Sequence, residues 1–170
     1  DLNSKLSDYD SKSEVRKLCE KTAGIWQPVS QDLHRVLFNA RRLSEETDGA
    51  FDVTIGHYTK LWRRARRQKS LPEETEIAKP TRQTGFRLLE VDPKKTRIRL
   101  KVNGMRIDLG GIAKGYAVDE ALKTLALAGI DRALVDGSGD IAVGNPPPGR
   151  ASWRVEIAAL RDSPDADPVS

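Results

Sequence analysis

Leu33, Val36, Leu37, Ala40 and Leu43 recur at three- and four-residue intervals, the spacing that gathers side chains on one face of an α-helix. Ser30 precedes the run as an N-cap and Asp48-Gly49 ends it. A shorter helix is predicted over residues 11–21. "YTKLWRRARRQK" continues helically, with Leu61 and Trp62 inward and its arginines outward. "SLPEETEIAKPTRQTG" lies between prolines as a capped helix or a loop. The period then changes from helical to alternating. "FRLLEVD", "TRIRLKV" and "MRIDL" are β-type segments separated by the turn signals "DPKK" and "NG". In the second of them Ile98, Leu100 and Val102 share a face.

A helix is predicted over residues 113–128, apolar at Tyr116, Ala117, Ala121, Leu122 and Leu125. "RALVDGSGDIAVGN" supplies two short buried strands around a glycine turn, "PPPGR" a loop, and "SWRVEIAAL" a last strand. Residues 161–170, polar and rich in Pro and Asp, are expected to be disordered. Helices first and strands later predict an α+β fold, a mostly antiparallel sheet with flanking helices. At 170 residues the chain is long enough to bury roughly two-thirds of its unfolded surface.

Charge narrows the function only a little. The net charge of +4 is mildly basic, and the few aromatics do not interleave with the cations as a stacking platform for single strands would require, so no nucleic-acid role is expected. Cys19 is alone and is expected to be a small half-buried residue. Two histidines, His34 and His57, give no zinc spacing, so any metal would be held by oxygens, as magnesium or calcium is. No apolar run reaches the length of a membrane helix.

Two glycine-rich stretches could cradle a phosphate. Gly137-Ser138-Gly139-Asp140-Ile141-Ala142 spells a dinucleotide fingerprint after a strand, but the fingerprint needs a helix next, and "AVGNPPPG" follows. That match is accidental. "RIDLGGIAKGYAVDEAL" has the right context of strand, Gly-Gly turn and helix, whose first N–H groups could make an anion site. Alternatively Gly110 and Gly111 only let the chain turn and pack. Asp108 favours the first reading, because an acid beside such a turn suits a ligand with a phosphate, a sugar or base, and a divalent cation, that is, a nucleotide. Asp52, in "ETDGAFDVT", is a second acid in a tight setting, or else part of a β-turn with a core phenylalanine.

"SDYDSKSEV", "ETDGAFDVTIGHYTKLW", "IDLGGIAKGYAVDEAL" and "LVDGSGDIAVGN" occur in the order and rough spacing of the FAD:protein FMN transferases. This ApbE-type family was formerly described as thiamine-biosynthesis lipoproteins, and the resemblance covers nearly the whole chain. It implies that residues 1–160 are the N-terminal and central part of a flavin-transferase domain. It also implies magnesium-dependent cleavage of FAD, transfer of FMN to a threonine hydroxyl of a target protein, and release of AMP. An FAD pyrophosphatase or a non-catalytic flavin-binding protein of the same fold are the alternatives. The implied target is a subunit of a membrane redox pump. The implied location is the periplasm, as a lipoprotein whose lipid anchor would lie outside this chain.

By the same resemblance Tyr9, Ala50, Phe51, Asp52, Asp108 and Lys114 contact FAD, the backbone carbonyl of Gly111 joins the metal shell, and Asp52 is the candidate catalytic acid–base. The resemblance further implies that an opening Gly-Thr strand and a second half with Asp and Thr metal ligands are absent from these 170 residues, which alone would then be inactive. Two local departures stand out: Ser138-Gly139 where the family shows two glycines, and "RRARRQK" where it shows Gly-Phe. The basic run reads first as a solvated helix face and second as a docking patch for an acidic partner.

Overall fold

The computed structural model describes residues 1–156. They fall into two compact units, Asp1–Tyr116 and a second starting at Ala117. The first holds helices α1 (Asn3–Leu6), α2 (Glu14–Cys19), α3 (Gln31–Glu46), α4 (Gly56–Gln68) and α5 (Glu74–Ala78). Its strands β1 (Gln27–Pro28), β2 (Leu89–Val91) and β3 (Arg97–Leu100) form an antiparallel sheet ordered β1-β3-β2. Helix α6 (Ala113–Leu127) leads from the first unit into the second. The α+β class expected from the sequence is therefore the class observed.

Helix α3 starts where its cap predicts. Ser30 holds an extended backbone and its hydroxyl accepts from Leu33 N–H at 3.3 Å. Leu33, Val36, Leu37 and Ala40 are buried against β2 and the sheet, but the stripe ends on Ser44 rather than Leu43, which stays exposed. Four residues beyond Ala40 the same face returns at Ser44, and its buried hydroxyl is satisfied by donating to Ala40 O at 2.9 Å. The helix stops at Asp48 and Gly49, both with positive φ, and Gly49 N–H closes onto Ser44 O.

Residues 11–21 shorten to α2, capped by Ser13. Cys19 beside it is half-buried as expected, and burial pushes its thiol pKa up, away from reactivity. Helix α5 is capped by a reciprocal Glu73–Glu76 box and runs into a 3-10 turn, Lys79–Gln83. In "FRLLEVD" the first three residues form a 3-10 turn and only Leu89–Val91 is strand. "TRIRLKV" keeps its alternation, with Ile98 and Leu100 buried.

Three expectations need correction. "MRIDL" is no strand, although Met105, Ile107 and Leu109 alternate inward into the core. Its polar backbone pairs with the loop before α4 instead: Gly56 N–H donates to Arg106 O, and Asp108 N–H to Val53 O at 2.8 Å. Trp62 is not inward but about half exposed, while Arg63 and Arg64 are half-buried. In the second unit "ALVD" and "DIAV" do pair, as β4 (Leu134–Gly137) and β5 (Asp140–Val143), through a two-residue left-handed turn at Ser138-Gly139. Those strands are not buried, since Leu134, Ile141 and Val143 are all exposed among the described residues. A hairpin offers no second layer of its own. Of "SWRVEIAAL", residues 152–156 form no strand and the rest lies outside the described residues, as does 161–170.

The Asp92 carboxylate ties the turn between β2 and β3. It accepts from Lys94 N–H at 2.9 Å, Lys95 N–H at 3.0 Å and Arg97 Nε at 2.6 Å. The Lys94 amide, with Arg97 and the Lys95 amide, holds its pKa down to about 2, outweighing partial burial. A depressed folded pKa stabilises above the unfolded value of about 3.9, and that contribution is lost as pH falls from about 4 toward about 2. The Asp92→Asn variant should therefore lose part of the acid dependence of the urea midpoint over that window. Gly56 gives a second expectation. A Cβ there would sit 2.7 Å from the Arg106 carbonyl oxygen, which is backbone and cannot swing aside. Gly56→Ala should cost about 1–3 kcal/mol in urea unfolding.

Candidate active site

Three stretches far apart in sequence meet in the first unit. The link between the second and third is the Asp108 N–H bond to Val53 O, reinforced by the Phe51 ring, which lies so close to Gly111 that a Cβ there would stand 3.2 Å from Phe51 Cε2. Gly111 thus favours the close approach of the Phe51 ring. The link to the first stretch is Arg63 of α4. Its Nη1 donates to Asp8 Oδ2 at 2.8 Å and its Nη2 to Asp108 Oδ2 at 3.2 Å. Both acid side chains are only 9% exposed, whereas that of Arg63 is 40% exposed. The guanidinium also lies over the Tyr9 ring, 4.4 Å from its centroid.

This geometry accounts for the bare carboxylate before a glycine turn. Asp108 spends Oδ1 on Gly110 N–H at 2.8 Å and Oδ2 on Arg63, so both its oxygens are held within the protein, although Asp8 shares the same guanidinium. The turn itself is less of an anion cradle than its letters suggest. Gly110 N–H is taken by Asp108, and the N–H groups of Ile112 and Ala113 both donate to Leu109 O. A side-chain cation, Arg63, reaches the turn through Asp108. Burial opposes its charge, but the Asp8 hydrogen bond and the charges of Asp8 and Asp108 win and raise its pKa.

Asp52 is held differently. Its Oδ1 accepts from both Thr54 N–H and Thr54 Oγ1 at 2.7 Å, and Thr54, fully buried, accepts in turn from Gly85 N–H at 2.8 Å. Its backbone therefore belongs to the stretch joined to Asp108, with one carboxylate oxygen fixed. Ala50 and Lys114 are exposed, Ala50 at the end of the α3 stop and Lys114 in the first turn of α6. Tyr9 is 78% exposed. The sequence alone does not single out Asp8 or Arg63. Asp8 was in plain view beside Tyr9, while Arg63 was concealed in a run of like residues.

Magnesium prefers an octahedral set of oxygens drawn from carboxylates and water. No group of three His, Cys, Asp or Glu side chains among the described residues is placed to hold a metal, and both oxygens of Asp108 are engaged. These residues do not make a magnesium shell. Nor, among the described residues, is any helix long and apolar enough to cross a membrane.

The first unit is thus an α+β body in which an acid-flanked Gly-Gly turn and an exposed tyrosine share one guanidinium. Comparison with known proteins identifies the family: the ApbE family profile matches residues 1–169, and the chain belongs to that family. It is 30% identical over 147 residues to the FAD:protein FMN transferase of Haemophilus influenzae, covering 83% of this chain and 42% of that protein. It superposes on the flavin transferase ApbE from Vibrio cholerae with a TM-score of 0.84 at 28% identity, over 92% of this chain and 50% of the other. The ApbE protein from Thermotoga maritima gives 0.80 at 31% identity, over 99% of this chain and 55% of the other. The chain spans about half the length of these relatives.

Removing the shared cation leaves two largely buried carboxylates without their partner. Arg63→Ala should lower stability by about 1–3 kcal/mol in urea unfolding at neutral pH. Arg63→Lys should restore only part of it, because one ammonium cannot fork between Asp8 and Asp108 as a guanidinium does.

Proposed function

We propose that this chain carries the flavin-dinucleotide site of an FAD:protein FMN transferase. The observation that carries the reading is the meeting of Tyr9, the Phe51–Val53 segment and the Asp108–Gly111 turn around Arg63, in a chain of the ApbE family. In this reading Tyr9, Ala50, Phe51, Asp52, Asp108 and Lys114 line the FAD site. Tyr9 offers an exposed ring to a planar one, and the exposed part of Arg63, with Lys114, offers N–H donors to the pyrophosphate.

The threonine oxygen of the acceptor protein forms a bond to the FMN-side phosphorus of FAD. The bond from that phosphorus to the bridging oxygen breaks, and AMP leaves with that oxygen. The proton of the hydroxyl goes to a base, for which Asp52 is the candidate: Thr54 fixes its Oδ1 and leaves Oδ2 to accept. Reactions of this class need charge neutralisation and in-line positioning more than covalent chemistry by the enzyme. Magnesium belongs to the proposal on the family resemblance, with the Gly111 carbonyl as the contribution from this stretch. The described residues form no shell for it. A periplasmic, lipid-anchored setting and an acceptor within a membrane redox pump complete the reading on the same resemblance.

Flavin fluorescence titration of the full-length protein should show FAD affinity falling at least about tenfold in Asp108→Ala. Asp108→Asn should recover part of it, since an amide oxygen can still receive Gly110 N–H. Unchanged affinity in both variants would remove Asp108 from the site. With FAD, magnesium and a purified candidate acceptor subunit, the expected result is a covalent FMN mass shift on one threonine that EDTA abolishes. Free FMN and AMP without that shift would mean a pyrophosphatase, and intact FAD a flavin-binding protein.

A further inference from the structure

The basic run that begins within α4 is only partly used by the site. Arg63 turns to Asp8 and Asp108, but His57, Lys60, Arg64 and Arg67 follow one another along a neighbouring face of the same helix. At 100° per residue those four fall within an arc of about 80°. With Leu61 they line a concave pocket of about 190 Å³. A second hollow of about 210 Å³ shares His57 and Leu61 with it and adds Lys79 and Glu76. Three of the four are cations, Lys60, Arg64 and Arg67, while His57 is turned to Gly104 O at 2.6 Å; Arg64 pairs with Glu76 of α5, and among the described residues Lys60 and Arg67 form no ion pair. The stripe therefore lacks counter-charge.

Two kinds of anionic partner could supply it, a bilayer of acidic lipid or an acidic protein segment. A helix that lies on a bilayer presents its cations and its apolar anchors to the same plane. Here the exposed Trp62 projects about 180° around the helix from the middle of the cationic stripe, so one flat surface cannot meet both. The cations also line a hollow with Leu61 as its apolar floor, a shape that receives a protruding side chain. Lys60 and Arg67 each lie one turn from Arg63, so a chain laid along the stripe passes beside the candidate active site.

We infer that the His57–Lys60–Arg64–Arg67 face of α4 docks an acidic segment of the protein that receives the flavin. The inference rests on the transferase reading for the identity of that partner, and on the charge and shape of α4 for its chemistry. Such a contact speeds and orients encounter and weakens with salt.

The test uses the double variant Lys60→Glu/Arg67→Glu in the full-length protein, since both side chains are exposed and neither takes part in the FAD site. A fluorescein-labelled synthetic peptide of alternating Asp and Ser is the probe, followed by anisotropy at low and high salt. The parent should bind it in a salt-sensitive way and the variant roughly tenfold more weakly or worse, with FAD affinity and melting temperature unchanged. In the transfer assay the variant should raise KM for the acceptor and leave kcat nearly intact. Equal peptide binding by parent and variant would overturn the inference. So would binding of parent, but not variant, to phosphatidylglycerol vesicles with no binding of the peptide, which would make the face a lipid surface. If the peptide binds as expected and no FMN is transferred by the parent, the docking surface stands and the transferase reading fails.

Discussion

One guanidinium holds the candidate site together. Arg63 reaches from α4 to Asp8 near the start of the chain and to Asp108 at the glycine turn, contacts that span 55 and 45 residues of sequence. Both acids are almost fully covered, a placement that is costly for carboxylates unless a cation is shared between them. The same cation lies on the ring of Tyr9. Helix position, acid position and aromatic position are thus fixed by one group, and the Asp108 backbone passes that order on to Val53 through its N–H.

What sits around this group is built for close approach. Gly111 leaves room for the Phe51 ring and Gly56 for the Arg106 carbonyl, so the turn, the loop before α4 and the start of that helix are in contact through backbone. Asp52 is oriented by a buried threonine that is itself held by Gly85 N–H. Tyr9 and part of Arg63 are the exposed part of the constellation around the guanidinium, while Asp8 and Asp108 are nearly covered.

Much of the fold could be read from periodicity. Helix α3, its Ser30 cap and its Asp48-Gly49 stop, the alternation of β3, and the hairpin at Ser138-Gly139 all depend on neighbours in sequence, and these elements are found in place. The failures come where distant partners decide. "MRIDL" alternates like a strand because its side chains do enter the core, yet its backbone bonds go to the loop before α4. Leu43 loses its inward place to Ser44 because packing against the sheet sets the phase of α3, and the hydroxyl buried as a result is satisfied by Ala40 O. In the site, the quoted motifs led to Tyr9, Asp52, Asp108 and Gly111 as residues, and the structure brings their stretches together. The balancing cation could not be singled out, because nothing local separates Arg63 from the arginines beside it. Only the phase of α4 against Asp8 and Asp108 does so.

The proposed FAD site is bounded by Tyr9, Arg63 and the Asp108–Gly111 turn. The most direct measurement is a crystal structure of the full-length protein with FAD bound. The dinucleotide should lie beside Tyr9, with polar atoms of its ribose or base within hydrogen-bond distance of Asp108 and its phosphates facing Arg63 or Lys114. FAD bound elsewhere, with the Arg63–Asp8–Asp108 contacts and the Tyr9 ring untouched, would contradict it.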